Sequence, residues 1–334
     1  MTAMTRRTLL LSTAMLGTGI LTACTAAPSR ENTPAPGTTP GTPPTAGGGA
    51  ATGGGPYGVG SYNTQEVADE LGYIEENIRP LAPGDGDRKR ILITGSTAGI
   101  GQLAAAHLLA RGHRVVAHAR NEQRAADVRR DLPGLEAVVV GELRDLDESR
   151  ALAGQINKLG AFDVIINNAG EYGLSGEEML SVNSLSPYLL TALVNAPAQL
   201  IYLTSDLHLG GDLKQDALRS GGRDFSYGDT KTQILALAMA VARRRPAVRV
   251  NAVAPGWVPT VMGFHNGPYA PDNLREGYMT QVWLAEGIAP ASRVTGEFFF
   301  HQTPETRVHA DVRNTAAQDR LLEAYAQRTG ATLS

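Results

Sequence analysis

The sequence predicts an α/β fold, a doubly wound parallel sheet with helices on both faces. Three observations carry that prediction. From Lys89 onward, short apolar runs alternate with longer stretches of helical periodicity, the pattern of successive β-α-β units. The run Ile91-Leu92-Ile93 leads into Thr94-Gly95-Ser96-Thr97-Ala98-Gly99-Ile100-Gly101 and then into the helix former Gln102-Leu103-Ala104-Ala105-Ala106. A glycine turn between strand and helix lets a pyrophosphate approach the backbone and meet the positive end of the helix. Finally, 42% of the 334 residues are apolar, enough to cover both faces of a sheet.

Residues 1–24 stand apart from that core. Arg6-Arg7 precede an uncharged stretch over 8–23 rich in Leu, Thr, Ala and Gly, the charged and apolar regions of a signal peptide. The pair resembles a twin-arginine signal, and Leu21-Thr22-Ala23-Cys24 resembles a bacterial lipobox. The stretch is short and only modestly apolar for a membrane span. The expectation is an exported lipoprotein of the bacterial cell envelope, held at the membrane only through a lipidated Cys24. The alternative is an over-extended start and a cytoplasmic protein. Cys24 is the single cysteine, so no intrachain disulfide and no cysteine-based metal site is expected. The formal charge of −3 implies no general attraction to nucleic acid.

Residues 25–60 are dense in Pro, Gly, Thr and Ala and read as a flexible linker reaching about 30–35 Å. Residues 61–87 form an N-terminal helical extension. Val67, Leu71, Ile74 and Ile78 recur at helical spacing and predict one amphipathic helix over 61–80 that covers an edge of the domain. The remaining chain, 88–334, predicts strands at 88–94, 113–119, 136–142, 162–167, 199–204, 249–254 and 296–301. Helices are predicted near 99–111, 122–131, 147–159, 177–195, 227–244, 271–286 and 315–328. Ligands of such sheets sit beyond the carboxyl ends of the strands.

Arg120 ends the second strand, where an acidic residue would bond the ribose hydroxyls of NAD. A guanidinium there pairs with a 2′-phosphate, so NADP(H) is expected over NAD(H). Arg124, one turn into the next helix, is expected to face solvent. Further on, Tyr227 and Lys231 stand at i and i+4 on one helix face. An ammonium near a phenol favours phenolate and lowers its pKa toward a useful acid/base range.

With these residues in place the chain resembles the short-chain dehydrogenase/reductase family from about Lys89 to its end. Thr94-Gly95-x-x-x-Gly99-x-Gly101 matches that family's cofactor turn, and Asn167-Asn168-Ala169-Gly170 the motif after its fourth strand. Asn183, Thr204-Ser205, Tyr227-x-x-x-Lys231 and Asn251-Ala252-Val253-Ala254-Pro255-Gly256-Trp257-Val258-Pro259-Thr260 follow in the family's order. The resemblance implies a single Rossmann-like catalytic domain over 88–334 that interconverts a small-molecule carbonyl and alcohol by hydride transfer. It implies that Tyr227 is the acid/base, that Lys231 holds the nicotinamide ribose, that Ser205 bonds the substrate oxygen, and that Asn183 supports a water relay to Lys231. Around the cofactor it implies Gly95, Ser96, Thr97, Gly99, Ile100 and Gly101 at the turn, and Asn168, Ala169 and Gly170 at the adenosine ribose and phosphates. Glu142 and Leu143 would contact adenine; Pro255, Gly256, Val258 and Thr260 would meet the carboxamide and phosphates. A homo-oligomer is a family-level expectation.

Some positions depart from the family. Ser186 stands where Gly is frequent, a local packing change. The interval from Ser205 to Tyr227 is long, and its polar middle, 210–224, reads as a surface loop. That length, Trp257-Val258-Pro259-Thr260 and Gly296-Glu297-Phe298-Phe299-Phe300-His301 resemble the retinol-dehydrogenase-like and protochlorophyllide-reductase-like branch. His208 lies three residues after Ser205, but no Gly-x-Ser-x-Gly elbow surrounds that serine; a solvated loop histidine is expected. A lid over 262–286 holds Phe264, Tyr269, Tyr278 and Trp283 and fits an apolar substrate. The competing class is a catalytically silent NADP(H)-binding sensor or scaffold.

Overall fold

The computed structural model describes residues 55–333, which belong to one compact unit. The signal and lipobox residues, and most of the expected linker, lie outside the described residues. Eight strands form one sheet in the order β3-β2-β1-β4-β5-β6-β7-β8. They are β1 Arg90–Ile93, β2 Arg114–Ala119, β3 Ala137–Val140, β4 Val164–Asn167, β5 Gln199–Leu203, β6 Arg249–Ala254, β7 Glu297–Phe300 and β8 Thr303–Pro304. Every pairing is parallel except the short β7–β8 turn-back. The first seven are the predicted strands; β8 is too short to leave a pattern in sequence.

The helices are α1 Gln65–Asn77, α2 Gly99–Ala110, α3 Glu122–Asp131, α4 Leu146–Lys158, α5 Gly176–Leu180, α6 Ser186–Leu193, α7 Gln215–Arg219, α8 Tyr227–Arg244, α9 Leu274–Glu286 and α10 Thr315–Thr329. Two apolar cores flank the sheet. One holds Leu152, Ile156, Tyr188, Leu237 and Tyr325 on the side of α4, α6, α8 and α10. The other holds Val67, Leu71, Leu103, Leu108, Tyr278 and Val282 on the side of α1, α2 and α9. Residues alternating along β1 feed both: Leu92 faces the first core, Ile91 and Ile93 the second. The crossover from β1–β2–β3 to β4 opens the cleft at the strand ends beside the glycine turn.

Several expectations change. The predicted helix over 177–195 is interrupted by a π turn, Ser181–Leu185, between α5 and α6. Pro187 has no N–H to give the Asn183 carbonyl four residues back, and the Ser186 N–H bonds to Ser181 O instead. The polar segment over 210–224 is not merely a surface loop: Leu213 and Leu218, with Phe225 just beyond, are buried, and α7 packs against α10 through Gln215 Nε2 donating to Ala317 O at 2.6 Å. Residues 55–60, expected in the linker, are part of the fold, because Tyr57 O accepts from the buried Asn63 side chain at 2.7 Å. The lid shrinks to the stretch before α9. Tyr278 is buried and donates to Glu70 on α1 at 2.7 Å, and Trp283 packs edge-on against Phe299.

Candidate active site

The turn after β1 is held by side chains from neighbouring elements. Gly95 takes a positive φ of 62°, and a Cβ there would sit 2.8 Å from the Ala169 Cα; only glycine lets the two loops approach. A Cβ on Gly101 would meet Gly95 O at 2.4 Å. Asn168 Nδ2 donates to Thr94 O at 2.8 Å and to Gly95 O at 3.1 Å, and Ala169 N–H donates to Thr94 Oγ1 at 3.0 Å. The Asn-Asn-Ala-Gly stretch thus staples β4 to the turn.

His118, on β2, completes that support. Its Nδ1 accepts the Gly95 N–H at 3.0 Å and its Nε2 lies 2.8 Å from Gly141 O. Only the neutral tautomer protonated on Nε2 satisfies both bonds, and burial pushes its pKa down to about 4. Nothing in the strand pattern marks this histidine; it reads as one more residue of an apolar run.

The N-terminal segment reaches the same turn. Asn63 Oδ1 accepts the Gly99 N–H at 2.9 Å, while its Nδ2 donates to Gln102 Oε1 at 2.7 Å. Thr64 caps α1 and donates to Pro259 O at 2.9 Å. This extension therefore does more than cover an edge: it ties the glycine turn to the loop after β6. That loop passes over Gly99, where a Cβ would lie 3.5 Å from the Thr260 methyl. Gly256 takes φ 83° beside Asp272, whose carboxylate accepts the Trp257 N–H at 2.5 Å. Val258 is buried against Gly277 of α9, and Pro255 O lies 3.4 Å from His301 Nε2.

Some expected cofactor contacts have other work. Ser96 is fully buried; its hydroxyl donates to Ile93 O at 2.9 Å and accepts the His118 N–H at 3.1 Å. Its side chain supports the turn and cannot line the cleft. Leu143 is buried in the first core, and its carbonyl accepts from Ser186 Oγ at 2.7 Å. The serine that replaces glycine is thus a hydrogen bond between the adenine-side turn and α6, not a packing change alone. Glu142 accepts the Arg144 N–H at 3.1 Å and shapes its own turn. Arg124 is not solvated: it stacks 3.4 Å over the Tyr62 ring, pairs with Asp127 at 2.7 Å, and donates to Thr97 O at 2.5 Å. Arg120 remains about half exposed beside Glu171.

Ser205, Tyr227 and Lys231 come together at the ends of β5 and α8. Ser226 caps α8 in a reciprocal capping box with Asp229, which sets Tyr227 at its first position. Ser205 lies close enough to the phenol to pull its pKa down. Lys231 is buried; its Nζ lies 5.3 Å from the Tyr227 ring centroid and donates to Leu203 O at 3.3 Å. A Cβ on Gly170 would lie 3.2 Å from that Nζ. Burial lowers the Lys231 pKa to about 8. The expected lowering of the phenol pKa is corrected. Burial raises it, against the pull of Ser205, and Tyr172 raises it further; the ammonium lies over the ring.

Asn183 is buried, and its side chain is fully engaged. Oδ1 accepts the Glu171 N–H at 2.8 Å, and Nδ2 donates to Glu171 O at 2.9 Å and Thr230 Oγ1 at 3.0 Å. What it can offer a relay is the carbonyl that Pro187 leaves without an N–H. Proline four residues after the asparagine is a sequence signal for this. His208 is also corrected: it is buried, with Nδ1 2.7 Å from Ser205 O and its ring edge-on to Phe298. Tyr172 escapes the sequence reading altogether. Its ring stands edge-on to Tyr227, with centroids 5.1 Å apart, and to His265 at 5.2 Å, and its hydroxyl accepts from Asn266 Nδ2 at 3.0 Å.

A dinucleotide fits these residues. Ala98 provides no side-chain cap for α2; Asn63 takes the Gly99 N–H, and those of Ile100 and Gly101 have no partner within the helix and can meet an anion; Gly170 keeps space beside Lys231. Among the described residues no group of His, Cys, Asp or Glu could hold a metal, and no helix is long and apolar enough to cross a membrane.

The family described as short chain dehydrogenase matches residues 89–196. An uncharacterized oxidoreductase of Emericella nidulans is 41% identical over 254 residues, covering 72% of this chain and 97% of its own. Retinol dehydrogenase 12 of Homo sapiens is 30% identical over 278 residues, covering 72% and 86%. In fold, an uncharacterized protein from Mycobacterium Paratuberculosis superposes with a TM-score of 0.62 at 21% identity, covering 78% of this chain and 98% of the other. Fold and relatives together define an NAD(P)-dependent oxidoreductase acting on carbonyl and alcohol groups. The chain belongs to the short-chain dehydrogenase/reductase family, in its retinol-dehydrogenase-like branch.

Proposed function

We propose that the protein is an NADP(H)-dependent oxidoreductase with Tyr227 as its acid/base. The observation that carries this reading is the convergence of Ser205, Tyr227 and Lys231 beside the space kept by Gly170. Bound nicotinamide would supply or accept the hydride at the substrate carbon. The hydroxyls of Ser205 and Tyr227 would hold the substrate oxygen as charge develops there. Burial keeps the phenol in its protonated form, from which it would give a proton to a developing alkoxide. Lys231, with the Asn183 carbonyl behind it, would return the proton through water. Val258 and Thr260, on the loop over Gly99, would meet the carboxamide end.

Exposed apolar side chains on the two loops after Ser205 and Pro255, namely Leu207, Leu209, Trp257, Val261, Met262 and Tyr269, favour a substrate with apolar surface. Arg120 supports the preference for NADP(H), because its exposed guanidinium ends β2 where the 2′-phosphate would lie. The test is titration with NADPH and NADH, followed by NADPH-dependent reduction of a carbonyl panel. Arg120→Asp should move the preference toward NADH; an unchanged ratio of dissociation constants would remove Arg120 from the 2′-phosphate site. For the N-terminus we propose export and a lipid anchor at Cys24. Cys24→Ser protein should then leave the membrane fraction, and its retention there would overturn the anchor.

A further inference from the structure

Glu171 follows Gly170 at the end of the β4 loop, and one of its carboxylate oxygens faces two guanidinium groups. Oε1 lies 3.6 Å from Arg120 at the end of β2 and 3.7 Å from Arg144 after β3. Three strand ends therefore converge on one oxygen. Neither contact is short enough to be a hydrogen bond. Arg144 also has a loose contact with Glu178 at 3.6 Å, and its buried Nε has no hydrogen-bond partner. Two forks designed for bidentate anion recognition thus share a single carboxylate oxygen at long range.

The main chain of Glu171 is fixed, since Asn183 bonds both its N–H and its carbonyl. Only the side chain is free to leave. A phosphate monoester carries more charge than a carboxylate and three acceptor oxygens, enough to engage both guanidinium groups.

We propose that Arg144 is a second ligand of the cofactor's 2′-phosphate beside Arg120, and that the Glu171 carboxylate occupies this anion site until the phosphate displaces it. The inference rests on the NADP(H) reading of Arg120 and adds to it a specificity residue and an internal competitor. NADH, lacking the phosphate, leaves the Arg120–Glu171–Arg144 contacts in place. The competitor weakens NADPH binding without helping NADH.

The test is equilibrium titration of the purified protein with NADPH, NADH and 2′,5′-ADP, with melting temperature as the control for folding. Arg144→Ala should weaken NADPH and 2′,5′-ADP roughly tenfold or more, as loss of a charged hydrogen-bond partner does, and leave NADH unchanged. Arg144→Lys should fall between. Glu171→Gln keeps the backbone bonds to Asn183 and should tighten NADPH and 2′,5′-ADP but not NADH. Equal weakening of NADPH and NADH by Arg144→Ala, or weaker NADPH binding in Glu171→Gln, would overturn the inference. If the unaltered protein prefers NADPH yet Arg144→Ala leaves the preference intact, this inference alone fails. If the unaltered protein binds both dinucleotides equally, the NADP(H) reading fails with it.

Discussion

The two halves of the cleft are built differently. On the cofactor side, backbone atoms of the glycine turn are held by side chains from three directions, His118 on β2, Asn168 after β4 and Asn63 from the N-terminal segment, while the Thr94 hydroxyl on the turn holds the β4 loop. On the substrate side, the loops after β5 and β6 are tied too, by bonds such as Trp257 Nε1 to Gly263 O at 2.7 Å and Asn266 to Tyr172, but they carry exposed apolar residues. The first half is pre-organised to receive an invariant ligand; the second presents adaptable surface, where loops on a rigid scaffold set specificity. Tyr227 and Ser205 stand at the seam.

That contrast makes the halves separable by mutation. The largest expected effect is on turnover: Tyr227→Phe removes the proton donor, and acid/base groups are worth roughly 10²- to 10⁴-fold in rate. Activity within a few-fold of the unaltered protein would place the acid elsewhere. A smaller effect tests the rigidity of the cofactor side. His118 has a folded pKa of about 4 against an ordinary value of 6.5. The unfolded chain therefore binds more protons between those values, and the stability His118 contributes is present above 6.5 and lost as pH falls toward 4. The loss can reach roughly 3 kcal/mol, and it comes with loss of the Nδ1 acceptor for the Gly95 N–H. Denaturation from pH 7 to 4 should show a shallower decline for His118→Gln than for the unaltered protein. Parallel declines would mean that His118 does not hold the turn.

The same contrast explains what was legible in sequence. Strands buried on both faces, such as Leu200-Ile201-Tyr202-Leu203, and turns that require glycine at Gly95 and Gly101 follow from local chemistry, so the sheet and the glycine turn could be read directly. Tyr227 and Lys231 share a helix face, and the structure keeps them together. The misses involve polar residues whose partners are distant in sequence. Asn63 meets Gly99 across 36 positions and Thr64 meets Pro259 across 195. His208 and Arg124 are expected in solvent from their places in a loop and in the first turn of a helix, whereas their neighbours in space are Phe298 and Tyr62. Leu213, Leu218 and Phe225 are isolated apolar residues in a polar stretch, too sparse for a periodic signal, yet they anchor it to the first core. The π turn at Asn183 was readable from Pro187, had the missing N–H been counted.

The most direct test of the account is a paired measurement on Tyr227→Phe: the dissociation constant for NADPH and the rate of carbonyl reduction. Separable halves joined at Tyr227 predict an NADPH constant equal to that of the unaltered protein and a rate lower by at least roughly 10²-fold. Retained activity, or NADPH binding lost together with activity, would contradict it.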